Sequence, residues 1–511
     1  MTPIILDFIA HHARTMPNRL ALSEFATDRS WTYAEFDAAA RRAQWVLCDR
    51  LGDPAGERIA MISRNSAAML IVQLACIRSG AIFVPLNFRL APPEIAFLLA
   101  DCQPKLLIHE GLFDALVPPS LPCATLRIGD DADELAAAMA AAPEPMDVGI
   151  GARIDPERIV TILYSSGTTG QPKGALVSLL NGFAGGMGLA LGTHVTVRSS
   201  FLIDMPMFHT AGLFGACWAC LIIGGTLRIS QKFDAPLTYQ RLIDPALDIT
   251  HYFSVTQMAM LLRQLPDFDG RPLAKLTAYI TGGAPNPEPH HRRWVEDGVM
   301  MSNGWGMSET CSSTAIPVGD LALLKAKAGS VGVPHLTCEL KIVGEDGETL
   351  PDGQVGEIWM RGATVSQGYW QRPELNAKAF VDGWFKTGDA AFRDGDGYYT
   401  LVDRIKDMYI SGGENVYPAE IEAAITELHD VGEVAVIGVA DDKWGEVGCA
   451  FVIPRPGAAL SSEDIIGHCN ARLARYKVPK SVFVTDAIER TASGKVQKHV
   501  LRERMKELLG S

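Results

Sequence analysis

The chain has 511 residues, of which 48% are hydrophobic and 21% are charged, and its formal net charge is −13. This size and composition are those of a globular protein with more than one domain, whose core needs no disulfides or metal staples. The acidic balance argues against a general binder of nucleic acid or anionic membranes. Among the ten cysteines, Cys217 and Cys220 are the only close pair, which could be a redox or metal dithiol. No second pair completes a zinc site, so we expect buried thiols and a reducing, cytoplasmic location.

Helix and strand patterns alternate in the N-terminal part of the chain. A capping-box pair, Thr32 and Glu35, predicts a helix over 33–50 that ends near Gly52. Further elements are then expected in turn: a strand over 59–62, a helix over 67–78, a strand over 82–86, a helix over 93–100 and a strand over 106–108. This alternation predicts α/β layers with largely parallel sheets.

The most apolar stretch of the sequence is 205–227, which is close to the minimum length of a membrane-spanning helix. It contains several glycines and also His209, an ionisable residue of a kind that is rare in lipid-facing helices. We therefore predict a buried helix beside a ligand site and no integral membrane span.

The sequence pattern changes near residue 329 and again near residue 408. Short β-like runs punctuated by Gly, Pro and Asp predict a β-rich subdomain, with strands over 338–343 and 356–361. The C-terminal part predicts a small α+β domain, with helices over 420–427 and 462–473 and strands over 434–439 and 450–453. The fold class is therefore α/β and α+β. We expect a large N-terminal domain, 1–405, of layered α/β subdomains plus the β-rich subdomain, and a small C-terminal domain, 406–511.

The most distinctive motif is the loop 164–174, which reads YSSGTTGQPKG and follows a strand predicted over 159–163. Its glycines let backbone N–H groups approach a ligand, its hydroxyls add donors, and Lys173 adds positive charge, which is the chemistry of polyphosphate binding. The spacing differs from that of a P-loop. A single glycine-rich loop is more often a flexible surface loop, but eleven residues in this order favour a phosphate site.

This loop resembles the phosphate loop of the adenylate-forming superfamily, and further motifs of that superfamily follow in order along almost the whole chain. The sequence as a whole is most similar to those of short bacterial fatty-acyl-CoA and feruloyl-CoA synthetases. The resemblance implies an AMP-forming acyl-CoA synthetase, which activates a carboxylic acid with ATP as acyl-AMP and transfers the acyl group to coenzyme A. The implied cofactors are ATP, Mg²⁺ and coenzyme A. The expected partners are a small-molecule carboxylic acid, ATP and CoA, without nucleic acid, and a homodimer is considered.

The resemblance also implies which residues bind the nucleotide. Trp305 would stack on adenine, Ser308 would contact the α-phosphate and Glu309 would help to hold Mg²⁺. Asp389 would accept hydrogen bonds from both ribose hydroxyls, with Arg404 as a second contact. The full implied set for ATP and AMP is Ser165, Ser166, Gly167, Thr168, Thr169, Gly170, Lys173, Gly283, Ala284, Pro285, Trp305, Gly306, Ser308, Asp389 and Arg404.

The C-terminal motifs imply a catalytic lysine and a thiol site. Lys495, in the sequence TASGK, would bridge the substrate carboxylate and the α-phosphate. Lys406 occupies the hinge position of the family, which implies that the C-terminal domain is mobile. The residues expected to bind CoA are Ser411, Gly412, Gly413, Trp444 and Tyr476. Those expected to be catalytic are Lys495, Glu309, Thr168 and His209.

The acyl pocket is expected to contain Phe208, His209, Phe214, Gly282 and Met307. Because 208–214 includes no Asp to pair with an amino group, an amino-acid substrate is disfavoured. The apolar wall fits a medium- or long-chain fatty acid or a hydroxycinnamic acid of the feruloyl type. Two other functions remain open: an acyl-AMP ligase that loads an acyl carrier protein, and a non-catalytic nucleotide or acyl binding protein. The second would be expected to lack Lys495, Asp389 or Glu309.

Overall fold

The computed structural model describes residues 7–129, 132–143, 154–165, 172–284, 286–405, 407–411, 414–441, 443–490 and 496–509. The chain forms two compact units. The first consists of Met1–Glu339 with Arg361–Phe385, and the second of Leu340–Met360 with Lys386–Ser511. The division predicted from the sequence, at residue 406, stays a prediction.

The first unit contains a large, mainly parallel sheet. Its nine strands lie in the order Val333–Pro334, Cys311–Ala315, Met301–Met307, Ala278–Gly282, His251–Val255, Ser200–Ile203, Thr226–Ile229, Leu20–Glu24 and Ser30–Thr32. All neighbouring strands from Met301–Met307 to Leu20–Glu24 are parallel, and the pairs at both edges are antiparallel. The prediction of largely parallel sheets is confirmed.

A second sheet of the first unit has six strands, in the order Ala124–Ile128, Leu106–Glu110, Arg58–Ile62, Ile82–Leu86, Ile159–Ser165 and Lys173–Ser178. Only the last pair is antiparallel. Ile62, Val84 and Leu107 belong to one buried cluster on this sheet, together with Ile95 and Leu98 from the helix that follows Ile82–Leu86. Strands buried on both faces are expected to be almost continuously apolar, as these are.

Helices and one more short strand complete the first unit. The helix Tyr33–Leu51 begins at the capping box of Thr32 and Glu35 and ends before Gly52, whose φ is 73°, as predicted. The other α-helices are Phe8–Thr15, Ala67–Ser79, Pro92–Cys102, Glu134–Ala141, Leu179–Gly192, Ala219–Ile223, Ala235–Ile243, Thr256–Arg263, Glu288–Glu296, Leu321–Ala326 and Pro373–Ala379. The 3₁₀ turns are Gly111–Leu116, Pro245–Leu247 and Arg271–Lys275. The short strand Phe380–Val381 pairs with Trp384 and Phe385.

The apolar stretch 205–227 is not one helix. It contains a π-helical segment, Ala211–Trp218, continued by Ala219–Ile223, and its last residues begin the strand Thr226–Ile229. The helix ends at Gly224 because this residue adopts a left-handed conformation, with φ at 97°. No helix in the described part of the chain is both long and apolar enough to cross a membrane.

The second unit contains most of one sheet and the whole of another. The first has the strands Cys338–Val343, Gly356–Gly362, Trp384–Arg393 and Tyr399–Arg404. The other has the strands Glu414–Val416, Tyr409–Ser411, Gly445–Pro454, Val431–Asp441 and Ser481–Val484. Its helices are Pro418–Thr426, Ser462–Asn470 and Lys498–Leu509.

Helices cover both faces of the second of these sheets. Val436 packs in a cluster with Ile421 of the helix Pro418–Thr426, whereas its neighbour Ile437 packs with Leu501 of the helix Lys498–Leu509. Successive side chains of a strand point to opposite faces, so one strand serves two helical layers. The expected small α+β architecture is therefore present.

Candidate active site

A β-hairpin carries both ends of the predicted phosphate loop. Ser165 ends one strand, Lys173 begins the next, and the two residues lie opposite each other in antiparallel register. Strand pairing therefore holds both side chains at the same end of the hairpin. The intervening residues lie outside the described ranges, so the roles predicted for Ser166, Gly167, Thr168, Thr169 and Gly170 stay predictions.

A distant segment of the chain, residues 363–372, lies along this hairpin, and we call it the strap. Its backbone forms hydrogen bonds with the second hairpin strand, which is the edge strand of its sheet. The Leu176 N–H donates to the Gly368 carbonyl at 2.8 Å, and the Trp370 N–H donates to the Gly174 carbonyl at 2.8 Å. The strap thus covers an edge that would otherwise present unpaired backbone groups.

Side chains fasten both ends of the strap. The Asn181 amide, buried at the start of a helix, donates to the carbonyls of Ala363 at 3.0 Å and Val365 at 2.8 Å. At the other end, Arg372 forms an ion pair of 2.5 Å with Asp101, whose side chain is 10% exposed. Partly buried polar contacts of this kind are screened less by solvent than surface pairs are, and they fix the position of the segment.

Glu309 lies in the turn between the strands Met301–Met307 and Cys311–Ala315 and is only 7% exposed. One carboxylate oxygen, Oε1, accepts a hydrogen bond of 2.9 Å from the Tyr369 hydroxyl, and its backbone carbonyl accepts from the Ser366 N–H at 2.7 Å. Sequence analysis missed Tyr369, which no local pattern distinguishes.

The residues around Glu309 fit a magnesium ion. In the described part of the chain this carboxylate has no ion pair with a Lys, Arg or His side chain. A buried carboxylate needs a compensating charge, and Mg²⁺ is commonly held by one or two carboxylates together with substrate phosphates. Glu309 therefore suits the metal that the resemblance implies.

The carboxyl ends of several parallel strands of the nine-stranded sheet lie on the same side of the sheet. In open α/β sheets, ligands bind beyond the carboxyl ends of the strands. Four segments follow these carboxyl ends. Residues 204–209 follow the strand Ser200–Ile203, and residues 256–258 follow His251–Val255. Residues 283–284 follow Ala278–Gly282, and the turn at 308–310 follows Met301–Met307. They include Phe208 and His209 of the predicted acyl pocket, and Gly283, Ala284 and Ser308 of the predicted ATP site.

The motif around Trp305 is held by close strand pairing. A Cβ atom at Gly306 would lie 2.0 Å from the Cys311 carbonyl oxygen, so only glycine fits there. Trp305 is 7% exposed, and its backbone N–H donates to the Thr314 hydroxyl at 3.1 Å. Met307, the last residue of the strand, and Ser308, the first residue of the following turn, are both half-buried.

The loop after the strand Ala278–Gly282 was assigned to the adenine and acyl pockets. Gly282 is buried, whereas Gly283 is exposed and has a φ of 77°, which favours glycine. The Ala284 carbonyl accepts from the Thr256 hydroxyl at 3.3 Å, which ties two neighbouring strand ends together. Pro285 lies outside the described ranges.

The acyl-pocket segment is aromatic and largely buried. Phe208 is 3% exposed and packs edge-to-face on Phe88, with ring centroids 5.5 Å apart, and it also contacts the His209 ring at 4.7 Å. Phe214 is fully buried and lies 4.8 Å from Trp218. The structure therefore brings Phe208 and His209 together and places Phe214 inside the core.

A second feature that sequence analysis missed is the side chain of Asn65, which is 3% exposed. Its amide donates to the Met205 carbonyl at 2.7 Å and to the Ser230 carbonyl at 3.2 Å, and it accepts from the Met207 N–H at 2.8 Å. The bonds to Met205 and Met207 fix the backbone that leads directly into Phe208, and the bond to Ser230 ties it to the neighbouring strand end. Local sequence gives no signal for them, because the partners lie more than 100 residues away in the chain.

Asp204, just before this segment, is fully buried. Its carboxylate accepts hydrogen bonds from the Thr238 hydroxyl at 2.7 Å and the Tyr252 hydroxyl at 3.1 Å. Burial raises the pKa of Asp204 to about 7, while the hydrogen bonds from Thr238 and Tyr252 act in the opposite direction. The carboxylate is therefore engaged within the protein core.

In the second unit, Asp389 is 5% exposed and lies within the strand Trp384–Arg393, directly after Gly388, whose φ is 71°. The Asp389 N–H donates to the Thr387 hydroxyl at 3.1 Å, and that hydroxyl donates to the Ile358 carbonyl at 2.8 Å. Arg404 lies opposite Asp389 in the neighbouring antiparallel strand. The two predicted ribose contacts therefore stand at adjacent strand positions.

The predicted CoA residues that can be described lie on the second unit. Ser411 is buried and pairs with Gly445, next to Trp444, which is 44% exposed. Tyr476 is half-buried beside Lys477, which is already in an ion pair of 2.7 Å with Glu420. Four predicted residues lie outside the described ranges, and their roles stay predictions: Lys406, Gly412, Gly413 and Lys495.

Comparison with known proteins gives two family matches. Residues 9–370 match the model of the AMP-binding enzyme family, and residues 420–495 match that of the AMP-binding enzyme C-terminal domain. Together these two models cover most of the chain.

Proteins of known name resemble the chain along its length. A feruloyl-CoA synthase of an Amycolatopsis species is 37% identical, over 96% of this chain and 97% of its own. The long-chain-fatty-acid–CoA ligase FadD13 of Mycobacterium tuberculosis is 36% identical, over 97% of each chain. The crystal structure of ATP-bound MatB from Rhodopseudomonas palustris has a TM-score of 0.89 at 31% identity and covers 98% of this chain and 99% of that chain.

Proposed function

The chain belongs to the AMP-binding enzymes and is an AMP-forming acid–CoA ligase, and we propose that its acid has an uncharged apolar tail. The enzyme uses ATP, Mg²⁺ and coenzyme A. The acid carboxylate attacks the α-phosphorus of ATP, which yields acyl-AMP and pyrophosphate. The CoA thiol then attacks the activated carbonyl, and AMP leaves with the electrons of the carbonyl–oxygen bond.

The proposed acid is either a medium- or long-chain fatty acid or a hydroxycinnamic acid. The observation that carries this proposal is the absence of Asp, Glu, Lys and Arg from 205–218, all of which is described, where Phe208 and Phe214 are buried. A charged tail among such side chains would lose its hydration without gaining a partner. The names of the two relatives, a feruloyl-CoA synthase and a fatty-acid ligase, fit both kinds of acid.

Asp204, the carboxylate that directly precedes this wall in the sequence, does not provide an amine site. Asp204 already accepts hydrogen bonds from Thr238 and Tyr252 and is fully buried. An ammonium group would have to displace those bonds and enter the core. This supports the exclusion of amino acids as substrates.

For the first half-reaction we propose roles that follow from chemistry and position. Ser165 and Lys173 bind the polyphosphate, Glu309 holds Mg²⁺, and Lys495 stabilises charge at the α-phosphate. Bound Mg²⁺ neutralises phosphate charge. The remaining proposed contacts are Trp305 with adenine, Ser308 with the α-phosphate, and Asp389 and Arg404 with the ribose.

Three further properties are proposed on the sequence alone. The C-terminal domain, 406–511, is proposed to be mobile about Lys406 and to present Gly412, Gly413 and Trp444 to CoA in the second half-reaction. A cytoplasmic location and a homodimeric assembly are proposed as well. Light scattering of the purified enzyme tests the assembly, since a monomeric mass would exclude the dimer.

Three acids of equal chain length test whether the tail of the substrate must be uncharged. Decanoic, decanedioic and ω-aminodecanoic acids differ only in the terminal group, and AMP formation with CoA gives kcat/KM for each. We expect decanoic acid to exceed both charged analogues by about 100-fold or more, which corresponds to about 2.7 kcal/mol. Equal values would contradict an uncharged pocket.

A second comparison separates the two proposed acids. Ferulic acid and decanoic acid are offered under the same conditions, and the larger kcat/KM identifies the preferred class. A Phe214→Ala variant tests whether this wall limits chain length, because removing a buried ring enlarges the space beside Trp218. It should favour the longer fatty acids relative to the wild type if this wall limits chain length.

A further inference from the structure

Tyr369 contacts two groups that carry opposite charges. Its hydroxyl donates to Glu309 Oε1 at 2.9 Å, and its ring centroid lies 5.3 Å from the Lys173 ammonium nitrogen. The side chain itself is 7% exposed and belongs to the strap, 363–372, defined above. We infer that Tyr369 is a positioning residue that aligns the magnesium carboxylate with the phosphate-binding lysine.

Each contact of Tyr369 has a distinct physical basis. The face of an aromatic ring carries partial negative charge and attracts an ammonium group within about 6 Å. The phenol is a hydrogen-bond donor to the carboxylate, and a bond to a charged acceptor is stronger than one between neutral groups. One rigid side chain with few rotatable bonds therefore fixes the direction of both Lys173 and Glu309.

The hydroxyl leaves Glu309 able to bind metal. It occupies Oε1, and the described part of the chain supplies no hydrogen bond to Oε2. A magnesium ion demands near-ideal octahedral geometry, so the orientation of a carboxylate ligand matters to its affinity. Partners of metal ligands typically change metal affinity or activity by 10–100-fold when they are removed.

The backbone of Glu309 has an anchor that does not depend on the tyrosine side chain. The Ser366 N–H donates to the Glu309 carbonyl at 2.7 Å, and the Leu176 N–H holds Gly368, the residue before the tyrosine. Loss of the Tyr369 hydroxyl should therefore release the carboxylate while leaving the strap in place. This separates a positioning role from a general role in folding.

The inference rests on the proposed role of Glu309 in binding magnesium, and its test uses two tyrosine variants. Tyr369→Phe keeps the ring and removes the hydroxyl. The matched control is Tyr33→Phe, because Tyr33 is also buried and its hydroxyl donates to the Gly225 carbonyl at 2.7 Å, and neither residue is a predicted site residue. Melting temperatures of both variants show whether they fold.

The main measurement is metal binding in the presence of ATP without any acid, with Mn²⁺ as a paramagnetic probe followed by electron paramagnetic resonance. We expect Tyr369→Phe to weaken Mn²⁺ binding by about 10-fold, and Tyr33→Phe to leave it unchanged. Pyrophosphate release should show kcat lowered by a similar factor, while the KM for the acid stays within about twofold.

Three outcomes would overturn the inference. Equal Mn²⁺ affinity in wild type and Tyr369→Phe would show that the hydroxyl does not orient the carboxylate. Equal losses in Tyr369→Phe and Tyr33→Phe would indicate a stability effect, and a change confined to the KM for the acid would place Tyr369 in another site. Failure of the wild type to form AMP with any acid would instead refute the ligase function, whatever the variants do.

Discussion

Replacing Asp204 with asparagine should change how the stability of the first unit depends on pH. The carboxyl is fully buried and accepts hydrogen bonds from Thr238 and Tyr252. Burial raises its pKa from 3.8 to about 7, and these hydrogen bonds offset the shift only in part. Asparagine keeps a carbonyl oxygen for the two hydroxyls and cannot ionise.

The sign of the effect follows from proton linkage. Between about pH 4 and pH 7 the folded chain keeps the Asp204 proton while the unfolded chain has lost it, so each pH unit lowers the free energy of unfolding by about 1.4 kcal/mol. From pH 5 to pH 7 the loss is about 2 kcal/mol, because the proton is half released at pH 7. For a unit of this size that corresponds to about 3 °C in melting temperature. Asp204→Asn lacks this contribution and should gain stability relative to the wild type as the pH rises.

The assay is thermal unfolding of wild type and variant at pH 5 and pH 7 in matched ionic strength. Asp248→Asn is the control, since Asp248 is exposed and has a φ of 47°, a conformation that asparagine also adopts readily. The difference between Asp204→Asn and wild type should widen by about 3 °C, and that for the control should stay constant. A difference independent of pH would refute the assigned pKa.

Two other substitutions test the active site. Lys495→Ala should abolish pyrophosphate release but spare thioester formation from synthetic acyl-AMP, because the lysine is assigned to the first half-reaction only; equal loss in both assays would contradict that assignment. Asn65→Ala leaves the Met205 and Ser230 carbonyls and the Met207 N–H without partners. Urea unfolding should therefore show a loss of about 3 kcal/mol or more, with a raised KM for the acid; an unchanged KM would separate Asn65 from the acyl segment.

The sequence predicted those features whose signals are local. The capping box at Thr32, the glycine that ends its helix, and the alternation of strands and helices all depend on residues a few positions apart. The strand before the phosphate loop was also predicted, over 159–163, from a run of mostly apolar residues. The strand Lys173–Ser178, which pairs with it, was not predicted.

Contacts between distant parts of the chain could not be predicted in this way. The strap reaches the hairpin from about 190 residues further along the chain, and its backbone hydrogen bonds are independent of side-chain type. The basic residues on either side of Tyr476 show the same limitation. Lys477 is paired with Glu420 and Arg472 with Glu427, which are 57 and 45 residues away, so a count of local charge overestimates the free positive charge.

The strap also determines when the first unit can be completed during translation. The chain leaves this unit after Glu339 and returns to it only at Arg361–Phe385. Until the ribosome has released that return segment, the strand Lys173–Ser178 lacks the neighbour that covers its edge. Exposed edges of nascent sheets pair readily with other chains. Truncation at residue 339 should therefore give an aggregating fragment, and expression of this enzyme should depend on chaperones that shield the unfinished sheet.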